Sequence, residues 1–162
     1  MVDALPMKQC FARIASRVSD CYKAHVFWTK IERALALHKR GEARSDGLRL
    51  LSAKTILSIE WLARSIHPWD RDLPAAQAER VFTQQCLHDT SAALTRLFDE
   101  IPVLEAIEVR VRRVPSRPPI VFGTVRRDCL KNIDCPSIGM KLRTIGLSFK
   151  MTNLCLDEIE QR

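Results

Sequence analysis

Six arginines fall within eighteen residues of the C-terminal half of the chain, and their type and spacing suggest binding chemistry. The planar guanidinium group of arginine binds a carboxylate or a phosphate at two points. Several of them on one surface therefore make a site for an acidic protein or a polyanion. We call these residues the arginine set: Arg110, Arg112, Arg113, Arg117, Arg126 and Arg127.

The net charge of the chain is concentrated around the arginine set. The whole chain carries a formal charge of +7. Residues 108–150 hold ten Lys or Arg and three Asp or Glu, a net of +7, whereas residues 1–107 carry +2 and residues 151–162 carry −2. Such asymmetry indicates an acidic partner for the basic region.

Two kinds of acidic partner agree with this pattern. We predict a non-catalytic binding or adaptor protein that uses an arginine-rich sheet face to dock an acidic protein surface. The alternative is sequence-nonspecific nucleic-acid binding through the phosphate backbone. Aromatic support for base stacking is limited to Phe122 and Phe149, which could equally belong to the core. A third interpretation is a solvated sheet face whose like charges discourage edge-to-edge pairing.

Catalysis has less support in the sequence than binding. The chain lacks GxSxG, HExxH, Walker and GxGxxG motifs, and we predict no catalytic residues. A metal-dependent nuclease is the third functional hypothesis, although Arg110 stands where such a site usually has lysine. Its metal-binding carboxylates would be Asp99, Glu100, Glu105 and Glu108.

A polar connector offers a second, weaker place for acid/base chemistry. His67, Asp70 and Asp72 lie close together in the sequence around Trp69. We expect Trp69 to cover the end of a helical bundle and the aspartates to cap a helix start.

Cysteine and histidine spacing gives little reason to predict a metal or a cofactor. Cys21 and His25 are four apart on a predicted helix, which would place both on one face, while Cys86 and His88 are two apart. Cysteine is also a small apolar residue, and both helical cysteines lie on apolar stripes. We therefore predict no metal site, no cofactor and reduced thiols.

Hydrophobic periodicity predicts an α+β fold. Three helices are expected at about 7–38, 47–66 and 74–100, with the strongly apolar 48–66 segment as the central helix. A three-stranded antiparallel sheet is expected at about 104–151, with strands near 107–111, 120–127 and 140–151 and a bulge near Gly146. The helices would cover the apolar face of the sheet.

The length and composition favour a single domain over residues 1–162, with a helical part at 1–101 and a basic β part at 102–156. The longest apolar runs are interrupted by charges, and the N-terminus lacks a signal-peptide pattern, so we expect a cytoplasmic protein without membrane contact. Apolar residues off the main stripe of the first helix could support a homo-oligomer or bind a partner helix. These residues are Tyr22, Phe27, Trp28 and Ile31.

Overall fold

The computed structural model describes residues 49–53, 56–70, 72–130 and 135–160, together with residues 26 and 29. Apart from residues 26 and 29, which are helical, the described chain forms a mixed five-stranded sheet, a two-stranded hairpin and two α-helices. The strands are β1 (Arg49–Ala53), β2 (Ile56–Leu62), β3 (Ala106–Arg112), β4 (Pro119–Arg126), β5 (Leu147–Ser148), β6 (Lys150–Thr152) and β7 (Cys155–Asp157), and the helices are α1 (Ala75–Glu100) and α2 (Ile138–Thr144).

The sheet has the order β1-β2-β3-β4-β5. Strands β2 and β3 are parallel, from Ile56 opposite Ala106 to Leu62 opposite Arg112, and the other neighbours are antiparallel. Parallel strands need a crossover connection, and α1 provides it between β2 and β3. The sheet thus consists of two antiparallel hairpins joined side by side, with a short fifth strand at the β4 edge.

The predicted third helix is confirmed as α1. It begins after Pro74 and ends at Glu100, with Ile101 as its C-cap just before Pro102, as expected from the restrictions that proline places on helices. Its buried stripe includes Phe82, Cys86 and Leu97. This stripe packs on the apolar face of the sheet in one hydrophobic cluster that also contains residues of β2, β3 and β4.

The predicted helix at 47–66 is wrong, because this segment forms the β1–β2 hairpin. Leu57, Ile59 and Trp61 alternate along β2 and are almost completely buried. Residues 57 and 61 would also share one face of a helix, so the apolar pattern fits both periods. The β2 strand lies inside the sheet, and interior strands are often nearly continuous in apolar residues.

The predicted third strand at 140–151 is also wrong. Its first part is α2, whose N-cap is Ser137 with its Oγ accepting a hydrogen bond from the Met140 amide at 3.2 Å. After the helix, Gly146 has a φ of +105°, a conformation that glycine adopts readily. The parity change near Gly146 therefore marks the end of a helix instead of a bulge. The sheet is mixed and five-stranded, not antiparallel and three-stranded, and the overall class remains α+β.

Most of the predicted first helix, 7–38, lies outside the described residues. Within that range the structure describes residues 26 and 29, and both are helical. The same holds for the off-stripe residues proposed for oligomerisation. In the part of the chain that the structure describes, every helix is too short or too polar to cross a membrane.

Candidate functional site

The sheet face opposite α1 carries the first two members of the arginine set. Arg110 and Arg112 alternate along β3 with Val109 and Val111, which are fully buried on the α1 side. We call this opposite side the outer face. Its charged residues on β2 and β3 are Glu60, Glu108, Arg110 and Arg112.

These four residues form two ion pairs. Arg110 Nη2 donates to Glu108 Oε1 at 2.8 Å, and Arg112 Nε donates to Glu60 Oε2 at 2.8 Å. Ser58 Oγ donates to the second oxygen of Glu108, also at 2.8 Å. The hydrogen bonds from Ser58 and Arg110 hold the pKa of Glu108 below its ordinary value of 4.5. The outer face therefore presents positive and negative groups side by side.

Two further members of the arginine set are the most exposed ones. Arg126 lies on the outer face of β4, opposite Ala106, and its side chain is 72% exposed. Because strands rise about 3.3 Å per residue, it lies roughly 13 Å along the sheet from the level of Arg110. Arg117 lies in the β3–β4 turn and is 66% exposed. Their nearest carboxylates are long contacts, to Asp128 at 3.4 Å and to Glu158 at 3.7 Å.

Arg113 lies on the helix side of the sheet. Its guanidinium forms a two-point pair with Glu79 of α1, with N···O distances of 2.8 and 2.5 Å. It also lies over the ring of Phe82, 4.5 Å from the centroid. The hydrogen bond from Arg113 lowers the pKa of Glu79. This arrangement fastens the end of β3 to α1.

Arg127 also faces the helix side, and its contacts are structural. Its guanidinium donates to the carbonyl oxygens of Phe98, Ile101 and Leu104 at 2.9, 2.7 and 2.8 Å. The last carbonyls of a helix lack partners within the helix, so a cation there completes their hydrogen bonding and interacts favourably with the helix dipole. Arg127 thus ties the end of α1 to the end of β4.

The structure therefore divides the arginine set between two sides of the sheet, and two of its acidic partners are distant in sequence. Glu60 is 52 positions from Arg112, and Glu79 is 34 positions from Arg113. The sequence pattern also predicts a helix at Glu60, which would not place this residue beside β3. No local pattern indicates such pairs, since they depend on which strands become neighbours.

The carboxylates predicted for a nuclease site do not come together in the described structure. Among the described residues, no group of three or more His, Cys, Asp and Glu side chains could hold a metal ion. Asp99, Glu100 and Glu105 are exposed near the end of α1, while Glu108 lies on the outer face. The nuclease hypothesis therefore has no assembled carboxylate cluster in this part of the chain.

One of the two predicted cysteine–histidine pairs and most of the polar connector lie within the described residues. Burial raises the pKa of the Cys86 thiol to about 12, so that it is a neutral thiol on the buried stripe of α1. Cys21 and His25 lie outside the described residues. Trp69 is 88% exposed and stacks on His67 with centroids 6.4 Å apart, so it does not close the end of a bundle. The four described cysteines form no disulfide.

A groove that sequence reasoning missed lies between α1, α2 and the β6–β7 hairpin. We call it the α1–α2 groove, and its volume is about 470 Å³. Arg80 and Arg143 contribute its positive charge. The apolar lining includes Leu87, Ile138, Met140, Phe149, Met151 and Leu154. Sequence reasoning could not find this groove because it assigned the residues of α2 to a strand.

Comparison with known proteins found no relative: no family model matches the chain, and no curated protein or solved structure is significantly similar to it. Function therefore has to be argued from the surfaces themselves.

Proposed function

We propose that the chain is a non-catalytic binding protein that docks an acidic partner protein on its outer face. The observation that carries this proposal is the spare donor capacity of the outer-face arginines. A guanidinium has five N–H donors, and Arg110 uses one of them in its bond to Glu108. Its side chain is 35% exposed, and that of Arg126 is 72% exposed. Carboxylates of a partner can bind the remaining donors.

The pattern of charge on the outer face supports a protein partner over a nucleic acid. Glu108 and Glu60 lie within this face and form ion pairs with Arg110 and Arg112. A protein surface can place its own cations against these carboxylates, which gives specificity through complementary charge. A phosphate backbone presents only negative charge, so the same carboxylates would repel it.

The test of the outer face uses two variants with the same change of charge. In the first, Arg110, Arg112 and Arg126 are replaced together by serine. In the matched control, three cations away from the outer face are replaced by serine: Arg80, Lys141 and Lys150. The partner is captured with the wild-type protein from an extract of the source cells, identified and purified, and its Kd is measured against all three proteins. Thermal unfolding establishes that both variants fold.

We expect the outer-face variant to weaken partner binding at least tenfold and the control to leave it within about twofold. Equal binding by the wild-type protein and the folded outer-face variant would end the proposal. A parallel titration uses 20-nucleotide single- and double-stranded DNA and RNA across a salt series. A steep fall of affinity with salt, lost in the outer-face variant, would replace the protein partner by a nucleic acid.

A further inference from the structure

The α1–α2 groove is an apolar surface open to solvent. Leu87 and Phe149 on its floor are 4% and 6% exposed, whereas Met140 and Leu154 on its walls are 54% and 56% exposed. Its volume of about 470 Å³ falls within the roughly 300–1,000 Å³ of pockets that hold small ligands. A concave apolar surface of this kind is typical of a ligand site.

The groove differs in charge from the outer face. Arg80 and Arg143 line it, and none of the described residues that line it is acidic. Arg143 lies over the ring of Phe149 at 4.8 Å and donates through one nitrogen to the Phe149 carbonyl oxygen at 3.3 Å, so most of its five donors remain available. Arg80 is exposed and forms no ion pair within the described part of the chain. The groove therefore combines an apolar floor with a positively charged rim.

Charge also indicates which occupant suits this groove. The two arginines are complementary to an anionic group, and none of the described lining residues offers that group a competing negative charge. An apolar ligand with one negative group matches both the floor and the rim.

We infer that the α1–α2 groove binds a single-chain amphiphilic carboxylate. The apolar chain lies along the floor formed by Leu87 and Phe149, and the carboxylate binds the guanidinium groups of Arg80 and Arg143. This inference goes beyond the proposed function, because it concerns a different ligand on the helix side of the molecule.

Calorimetric titration of the full chain with decanoate, below its micelle concentration, tests the inference. We expect saturable binding of one decanoate per chain. Because each fully buried methylene contributes about 0.8 kcal/mol, octanoate should bind up to about fifteenfold more weakly. Decyltrimethylammonium, with the same chain and opposite charge, should not bind. Equal binding of the cation, or a stoichiometry that does not saturate, would overturn the inference.

Variants locate the binding site. Arg80→Gln should weaken decanoate binding about tenfold, since it removes a charge-assisted contact without disturbing the stacking of Arg143. Met140→Glu should abolish binding, because it places a carboxylate in an exposed position on the groove wall. Arg117→Gln is the matched control in the β3–β4 turn and should bind like the wild-type protein. Unchanged affinity in both groove variants, or absence of binding by the wild-type chain, would overturn the inference.

The two proposals fail separately. The outer-face variant with serine at positions 110, 112 and 126 should still bind decanoate, and Arg80→Gln should still bind the acidic partner. Loss of decanoate binding in the outer-face variant, with folding intact, would contradict the placement of the ligand in the α1–α2 groove.

Discussion

At the scale of single residues, Arg126 and Arg127 show that adjacent identical side chains can have different roles. Arg126 is 72% exposed and has one long contact to Asp128. Arg127 donates three hydrogen bonds to main-chain carbonyls at the end of α1 and beyond it, and it lies 4.9 Å from the ring centroid of Phe98. The difference arises at the end of the strand, because Arg126 is the last residue of β4 and Arg127 begins the 3-10 helix that follows it.

We expect Arg127→Gln to lower the free energy of unfolding by about 2–3 kcal/mol, because it leaves several main-chain carbonyls without their charged donor. Arg126→Gln is the matched control and should change it by less than about 0.5 kcal/mol, as is usual at exposed sites. Urea unfolding followed by circular dichroism measures both. Equal losses in the two variants would mean that Arg127 does not secure the end of α1.

The Ser58–Glu108 hydrogen bond predicts a pH-dependent contribution to stability. The folded state holds the pKa of Glu108 below 4.5. This pair therefore stabilises the fold above pH 4.5, and its contribution is lost as the pH falls through the folded-state pKa. We expect Ser58→Ala to raise the pKa of Glu108 and to cost about 1 kcal/mol near neutral pH, with the cost shrinking below pH 4.5.

Carboxyl NMR titration of the wild-type protein and the variant measures this shift. Thr124→Ala is the control, since Thr124 lies opposite Glu108 on the other neighbouring strand but makes no hydrogen bond to its carboxylate in the described structure. If Thr124→Ala and Ser58→Ala move the pKa equally, the specific role of Ser58 is excluded.

At the scale of secondary structure, the β1–β2 hairpin allows a direct test of strand against helix. Leu57 is completely buried, and its neighbour Ile56 is 48% exposed. We expect Leu57→Ala to destabilise the protein by about 2–5 kcal/mol and Ile56→Ala by about 1 kcal/mol or less. Thermal and urea unfolding supply the measurement. A larger loss for Ile56→Ala than for Leu57→Ala would contradict the described orientation of β2.

The sequence predicted some elements well for identifiable reasons. In β3 the residues between Ile107, Val109 and Val111 are charged, so only a period of two fits. The long stripe of α1 spans enough turns to exclude a strand. In contrast, β2 combines Leu57, Ile59 and Trp61 with only one charged residue, and its place inside the sheet depends on a parallel partner from β3 that no local pattern identifies.

The region from α2 to β5 shows a second limit of sequence reasoning. The helix has seven residues, and the strand that begins shortly after it has two. These are too few positions to distinguish the helical period of 3.6 from the strand period of two. The informative residue is Gly146, where an added Cβ would lie 2.7 Å from the Thr124 carbonyl oxygen. Glycine there allows both the positive φ and the close approach of β4.

At the scale of the whole molecule, charge that is separated in the sequence is mixed in space. The basic region carries +7, yet three of its arginines pair with Glu60, Glu79 and Glu158 from outside that region. The arginine set is visible in the sequence as a cluster, and the period of two in β3 places Arg110 and Arg112 on one face. The pairing with glutamates from outside the basic region depends on the fold and has no local signal.

The sheet order predicts how stability is distributed over the molecule. Strands β2 and β3 have neighbours on both sides, whereas β6 and β7 form a separate pair of three-residue strands. We expect β3 amides to exchange with deuterium at least a hundredfold more slowly than those of β6, because interior strands open only with the global unfolding. Hydrogen exchange measured by NMR provides the comparison, and equal protection of β3 and β6 would contradict it.

The parallel seam between β2 and β3 also affects how the chain reaches this structure. Each flanking hairpin joins strands that are close in sequence, and such hairpins form within microseconds. The seam instead joins residues about fifty positions apart, such as Ser58 and Glu108, so it requires closure of a long loop. Helix formation in α1 would shorten that loop before it closes. We therefore expect the seam to be the slowest contact to form during folding, with the apolar edges of the two hairpins exposed until it closes.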